Sequence, residues 1–233
     1  MAGTYTFANF VDYLTIMFGE RTDLTNVGAV NLYEKWINLA YIRLTTRNRF
    51  WGIKKSFYFP ELETDDGGSN TTAGAAHISI PTDALVVREV WDSTSDVRLN
   101  NIPTSTYVSY PGRAVTASRG KPTEWLRRGK YIYFHPTPDA VYSMVVFYRK
   151  IPAILSSSAK TVIGVEWDEV ILQMAYIIGK EWLGEYDKAN AMKKTLAESF
   201  AGIIGIYDAE ELARRQIDSG KPESTFLLDQ GYK

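Results

Sequence analysis

The 233-residue chain has no cysteine. That single absence excludes a disulfide framework, thiolate metal sites and cysteine nucleophiles together, and it fits folding in a reducing cytoplasm. Histidine is nearly missing too, since His77 and His135 are the only two, and neither lies at ligand spacing from a second histidine. An excess of one charge is also lacking. The 26 Lys and Arg against 27 Asp and Glu leave a net charge of −1, so no long-range positive field would hold a phosphate backbone. Apolar runs stay short of the roughly 20 residues that span a bilayer. The opening Met1-Ala-Gly-Thr-Tyr-Thr-Phe7 has neither the basic nor the apolar region of a signal peptide. These absences point to a soluble intracellular product or a component of a larger particle, without a membrane partner.

Signatures of chemistry are equally scarce. His77 and His135 fall in or beside apparent strands, where a strand residue with one face in solvent is favoured over a catalytic or metal role. Gly120-Lys121, Gly129-Lys130 and Gly179-Lys180 lack the following Ser or Thr and the upstream glycine of a phosphate loop. The acidic run Glu61, Glu63, Asp65 and Asp66 lacks the register of a calcium loop and reads as solvated. No nucleophile elbow, zincin or kinase pattern occurs. The reading is therefore of a protein that is not an enzyme and has no cofactor, catalytic residue or metal site.

What the chain does have is apolar and aromatic material: 45% hydrophobic residues, with 6 Trp, 15 Tyr and 10 Phe. This is enough for one large core or two small ones. Phe7, Phe10, Val11, Leu14, Met17 and Phe18 lie at the spacing of one helical face. A second, broader stripe from about Val27 to Arg47 carries Tyr33, Trp36, Ile37, Ala40, Tyr41 and Leu44. So wide an arc needs cover from more than one neighbour.

After Trp51 the spacing changes to alternation. Strands are expected at Ser56 to Phe59, His77 to Ile80, Leu85 to Trp91, Thr106 to Tyr110, Thr123 to Leu126, Tyr131 to Phe134 and Tyr142 to Tyr148. Arg127-Arg-Gly-Lys130 suits a hairpin turn. Glu61 to Ala75 reads as an exposed, mobile loop, and Pro136-Thr-Pro138 as an interruption of the sheet. Helical spacing resumes near Glu166 and runs to Trp182, with Gly184 as its end. It recurs from Asp187 to Ile204 and in a last short helix from Asp208 to Arg215. Beyond Ile217 periodicity is lost, and Phe226, Leu227 and Leu228 form an apolar hook on a polar arm.

The fold class read from this pattern is α+β. A helical domain from 1–55 and 161–217 carries an inserted antiparallel β-sandwich or small-barrel domain, 56–160, and an extended C-terminal arm, 218–233. The aromatic residues of the middle segment, among them Trp91, Tyr107, Tyr110, Trp125, Tyr131, Tyr133 and Tyr148, suit core and subunit packing. The same rings keep open an alternative, a polymer- or carbohydrate-binding tail accessory module.

Several segments carry a family resemblance. They are Trp36-Ile-Asn-Leu-Ala-Tyr-Ile-Arg43 leading into Trp51, Ile78-Ser-Ile-Pro81 with Asp83, and Leu85-Val-Val-Arg-Glu-Val90. Gly120-Lys-Pro-Thr-Glu-Trp125, Tyr131-Ile-Tyr-Phe-His-Pro-Thr-Pro-Asp139, Val146-Phe-Tyr-Arg-Lys-Ile-Pro152 and Trp167 complete the set. Over most of residues 7 to 215 this order resembles the head-to-tail adaptor proteins of short-tailed and related phages, also described as connector or tail tubular proteins. The resemblance implies a structural virion protein assembled in the host cytoplasm. It would form a homo-oligomeric ring of twelve subunits that docks on the portal protein at the neck and seats tail or nozzle proteins. Packaged DNA would pass through the lumen without specific binding. Phe226, Leu227 and Leu228 are then the candidate portal-docking anchors, and Tyr33, Trp36 and Trp125 the candidate subunit-interface residues, since each subunit of a closed ring presents two different complementary surfaces.

Overall fold

The computed structural model describes residues 3–25, 31–46, 59–110 and 119–200. The elements in chain order are α1 (Phe7–Met17), α2 (Leu32–Thr46), β1 (Glu63–Asp65), β2 (Ser69–Asn70), β3 (His77–Ser79), β4 (Ala84–Asp92), β5 (Val97–Arg98), β6 (Asn100–Asn101), α3 (Thr104–Ser109), β7 (Arg119–Gly120), β8 (Glu124–Arg128), β9 (Tyr131–His135), β10 (Thr137–Pro138), β11 (Ser143–Lys150) and α4 (Asp168–Trp182). A further helical stretch, α5, occupies residues 186–200. Short 3₁₀ turns at Thr22–Leu24, Pro60–Leu62 and Val165–Trp167 join some of them. The class is α+β, and the chain divides into two compact units, residues 58–153 and the segments on either side of them.

The helical unit is built on three amphipathic faces. Thr6 caps α1 by accepting from the Asn9 N–H, while the Asn9 side chain accepts from the Thr6 N–H at 3.0 Å, so two otherwise orphaned donors are satisfied reciprocally. Phe7, Phe10 and Leu14 then bury together. Helix α2 starts at Leu32, where the Asn31 side chain accepts from the Tyr33 and Glu34 N–H groups at 3.0 and 3.4 Å and fixes the cap; Val27 to Val30 and Arg47 of the expected span lie outside the described residues. Its buried arc includes Tyr33, Trp36, Ile37, Ala40, Tyr41 and Leu44. Helix α4 supplies Val170, Ile171, Met174, Ala175, Ile177 and Ile178 and ends where Gly184 takes φ +77°.

Polar clasps close this unit. The Asn38 side-chain amide both donates to the Leu155 C=O at 3.1 Å and accepts from the Leu155 N–H at 2.7 Å. The Tyr41 hydroxyl accepts from the Val162 N–H at 3.2 Å. Asp168, in the first turn of α4, accepts from the Thr4 and Tyr5 N–H groups at 2.6 and 2.9 Å and from the Thr161 hydroxyl at 3.0 Å.

In the inserted unit one sheet has the order β1-β11-β4-β5, with β2 also on β11, and another the order β3-β9-β8-β6; β7 and β10 form a short pair. Buried side chains from both larger sheets share one cluster, including Ile78, Val90, Trp125, Phe134, Met144 and Val146. The long pairings are antiparallel, as expected, but β6 with β8 and β7 with β10 run parallel, so the arrangement is mixed.

Two local expectations fail. Thr106 to Tyr110 is not a strand, because Thr104–Ser109 is helical, entered from an extended Pro103 whose missing N–H costs a helix start nothing. Glu61 to Ala75 is not a free loop. Leu62 and Thr71 are buried, β1 and β2 pair with β11, and between them Asp66 acts as a surrogate backbone, its carboxylate accepting from the Val146 N–H at 2.9 Å. Pro136 to Pro138 interrupts the sheet as expected: β9 ends at His135 and β11 belongs to the other large sheet, while Thr137 and Pro138 pair only with β7 and the Pro138 C=O accepts from the Gly74 N–H at 2.7 Å. Residues 56–58 of the first expected strand, the last expected helix and the arm lie outside the described residues; Phe59 is extended ahead of its 3₁₀ turn.

Candidate functional site

The three residues expected at subunit boundaries sit inside their own units: Tyr33, Trp36 and Trp125 are 0%, 2% and 1% exposed. Tyr33 donates its hydroxyl to the Arg21 C=O at 3.0 Å, and burial pushes its phenol above the ordinary tyrosine value. Trp36 lies between Phe18 and Trp182, with ring centroids at 5.3 and 5.9 Å. Trp125 belongs to the shared core cluster of the inserted unit. Other apolar side chains of both units are open to solvent. Phe226, Leu227 and Leu228 lie outside the described residues.

The exposed apolar surface is substantial. On the helical unit Ile16 is 62%, Trp182 56% and Tyr186 62% exposed, and Tyr13 and Met17 also face solvent. Ile16 and Tyr13 fall off the Phe7, Phe10, Leu14 stripe, a signal present in the helical spacing. Beneath Trp182, Lys180 is nearly buried, its ammonium 3.2 Å from the Glu185 carboxylate and 4.7 Å from the Phe18 ring centroid. Hydrogen bonds from Lys188 and Lys180 hold the Glu185 carboxyl below its usual range. This fixes the turn that presents Trp182 and Tyr186. On the inserted unit Val86 and Phe147 are exposed, the latter beside Trp91 at 6.5 Å.

Both histidines fall in a second feature, an aromatic row on the outer face of β9. His77 touches Tyr131 and Tyr133 at 4.6 and 5.1 Å, and Tyr107 of α3 touches Tyr133 at 5.9 Å. His135 stacks on Tyr110 at 4.0 Å, and the Tyr110 hydroxyl donates to Glu124 at 2.8 Å, which raises that phenol.

A serine, a lysine and a carboxylate do converge at the β4–β5 turn, where Ser95 contacts both Lys121 and Asp92. Burial raises the Asp92 carboxyl, but hydrogen bonds from Ser95, Lys121 and the Thr94 N–H outweigh this and hold it below its ordinary value. As a carboxylate it takes the Ser95 proton in a hydrogen bond and pairs with Lys121 at 2.9 Å. The serine hydroxyl is thus directed at an acceptor far too weak to activate it as a nucleophile, and the cluster serves to close the turn.

Exposed apolar and aromatic side chains on firmly packed supports suit contact with another macromolecule. The chain belongs to the SU10 adaptor protein family, a family of phage head-to-tail adaptors, which it matches over residues 6–220. None of the curated proteins compared with the chain matches it. Membership implies a structural, non-enzymatic component of the virion that interacts with other virion proteins. No helix among the described residues is long and apolar enough to cross a membrane.

Proposed function

We propose that this chain is one subunit of a twelve-fold ring in the virion neck, docked on the portal protein and providing the seat for tail or nozzle proteins. The carrying observation is the family match, which spans the described parts of both units. Exposed Ile16, Trp182 and Tyr186 support it, since aromatic and long apolar side chains on rigid elements make interface anchors. The inserted unit is read as a two-sheet sandwich, on the strength of its shared buried cluster.

The arm 218–233, with Phe226, Leu227 and Leu228 as anchors, is assigned to the portal. With a net charge of −1 on each subunit the ring would let duplex DNA slide through its lumen without specific binding. Assembly takes place in the host cytoplasm.

The test is light scattering of the purified chain, alone and mixed with its cognate portal ring, followed by electron microscopy. A discrete ring-sized increment on the portal is expected. A chain that stays monomeric and leaves the portal mass unchanged sinks the reading.

A further inference from the structure

We propose that the outer face and tip of the β8–β9 hairpin bind single-stranded nucleic acid, Arg128 and Lys130 taking phosphates and Tyr131 and His77 taking bases. This goes beyond the assembly role and does not depend on a ring.

Residues directly opposite one another in an antiparallel pair share a face. Arg128 opposes Tyr131, Tyr131 opposes Ser79, and Tyr133 opposes His77, so a guanidinium and three rings lie side by side. The alternate residues Ile78, Ile132 and Phe134 are buried in the core, which fixes the sheet beneath them.

The tip is equally firm. Gly129 takes φ +62°, as a tight hairpin turn requires, and Arg127, on the core side, donates to the Leu85 C=O at 2.6 Å. The rings brace one another edge to face, His77 to Tyr131 at 70° and Tyr131 to Tyr133 at 79°. Tyr131 stays 41% exposed.

Charge points the same way. Arg88, Arg98 and Lys121 of this unit each pair with a carboxylate, whereas among the described residues no ion pair engages Arg128 or Lys130. The one carboxylate on the β8 face, Glu124, lies at the far end of the strand and is occupied by the Tyr110 hydroxyl.

Two cations without an ion pair among the described residues, beside exposed rings on one sheet face, match a strand of phosphates and bases. Stacking needs only an open ring face, and side chains on one face recur about 7 Å apart along a strand. A folded protein partner would instead want a pocket to fill.

Fluorescence anisotropy of a labelled oligothymidylate with the full chain at about 50 mM salt tests this. Binding is expected, weakening with added salt at a log–log slope of about −1.4, two phosphates at about 0.7 each. The R128E/K130E variant should lose affinity about tenfold or more with its unfolding midpoint unchanged. Tyr131→Ala should lose roughly fivefold for the oligonucleotide and nothing for inorganic polyphosphate. Failure of the wild-type chain to bind, or charge reversal without effect, overturns the site. A duplex or an acidic polysaccharide bound as well as the oligothymidylate, or polyphosphate equally sensitive to Tyr131→Ala, overturns the assignment to single strands.

Discussion

Replacing Asp168 by alanine removes the acceptor that ties residues 3–6 to α4. Its carboxylate receives three hydrogen bonds, from the Thr4 and Tyr5 N–H groups and the Thr161 hydroxyl. The Gly3 N–H adds a bond to the Thr161 C=O at 3.1 Å. The clasp is so tight that a β-carbon at Gly3 would run into Thr161 Oγ1 and the carboxylate itself.

Hydrogen bonds to a charged acceptor contribute about 1.5–3 kcal/mol each, and a buried donor left unsatisfied costs about 1–3 kcal/mol. Thr4 is exposed and Tyr5 partly so, hence water can replace the acceptor there, while Thr161 stays buried. The net cost of Asp168→Ala is therefore about 3 kcal/mol. Asp168→Asn should cost only about 1 kcal/mol, because its carbonyl can still serve both backbone donors and its amide can face the Thr161 oxygen, which is able to accept. Urea unfolding followed by tryptophan fluorescence, with the slope held in common, gives the comparison. Alanine within about 0.5 kcal/mol of wild type, or asparagine as damaging as alanine, would falsify the reasoning.

Gly179→Ala sets helix propensity against packing. Alanine gains about 0.5–1 kcal/mol in a helix interior, but its β-carbon would lie 2.5 Å from Phe18 Cζ and 2.7 Å from Trp36 Cε3, and overpacking costs about 1–3 kcal/mol. The thermal midpoint should fall, and a rise would show that the rings move aside. For Asp92 the folded pKa lies below the unfolded one, so its contribution is complete above about pH 4 and is lost as pH falls below that toward the folded value. Denaturation midpoints of wild type and Asp92→Asn should keep a constant separation above about pH 4 and draw together as pH falls below it, and curves that stay parallel below that point would remove the argument.

The sequence was most legible where one periodicity governed a long stretch. The Phe7, Phe10, Leu14 stripe, the α2 arc and the α4 face are buried as their spacing requires, and Gly129 marked the β8–β9 turn. What stayed hidden depended on partners distant in the chain. β1 and β2 are polar strands that exist because β11 and the Asp66 carboxylate receive them. Thr104–Ser109 offered β-branched residues in near alternation, yet Pro103 and contacts such as Tyr107 with Tyr133 hold it helical. Tyr33, Trp36 and Trp125 show the sharper limit. A large aromatic suits a core and an interface equally well, and composition alone does not separate the two. The aromatic row on β9 was visible as residue types, but the register that puts Arg128 against Tyr131 was not.

The Asn38–Leu155 clasp also sets a timetable. Helices α1 and α2 precede the inserted unit, but the irregular segment at Leu155 that α2 holds and the α4 face that buries both helices come more than a hundred residues later. At about 5–20 residues per second the ribosome needs roughly 6–25 s to deliver them. Through that interval Trp36 and its apolar neighbours have no lasting cover, while the inserted unit, complete in itself by residue 153, is free to fold first. The unit that closes last is thus the one whose first helices leave the ribosome before the inserted unit, and those helices depend on the later-made α4, or on a chaperone, to keep from meeting a stranger.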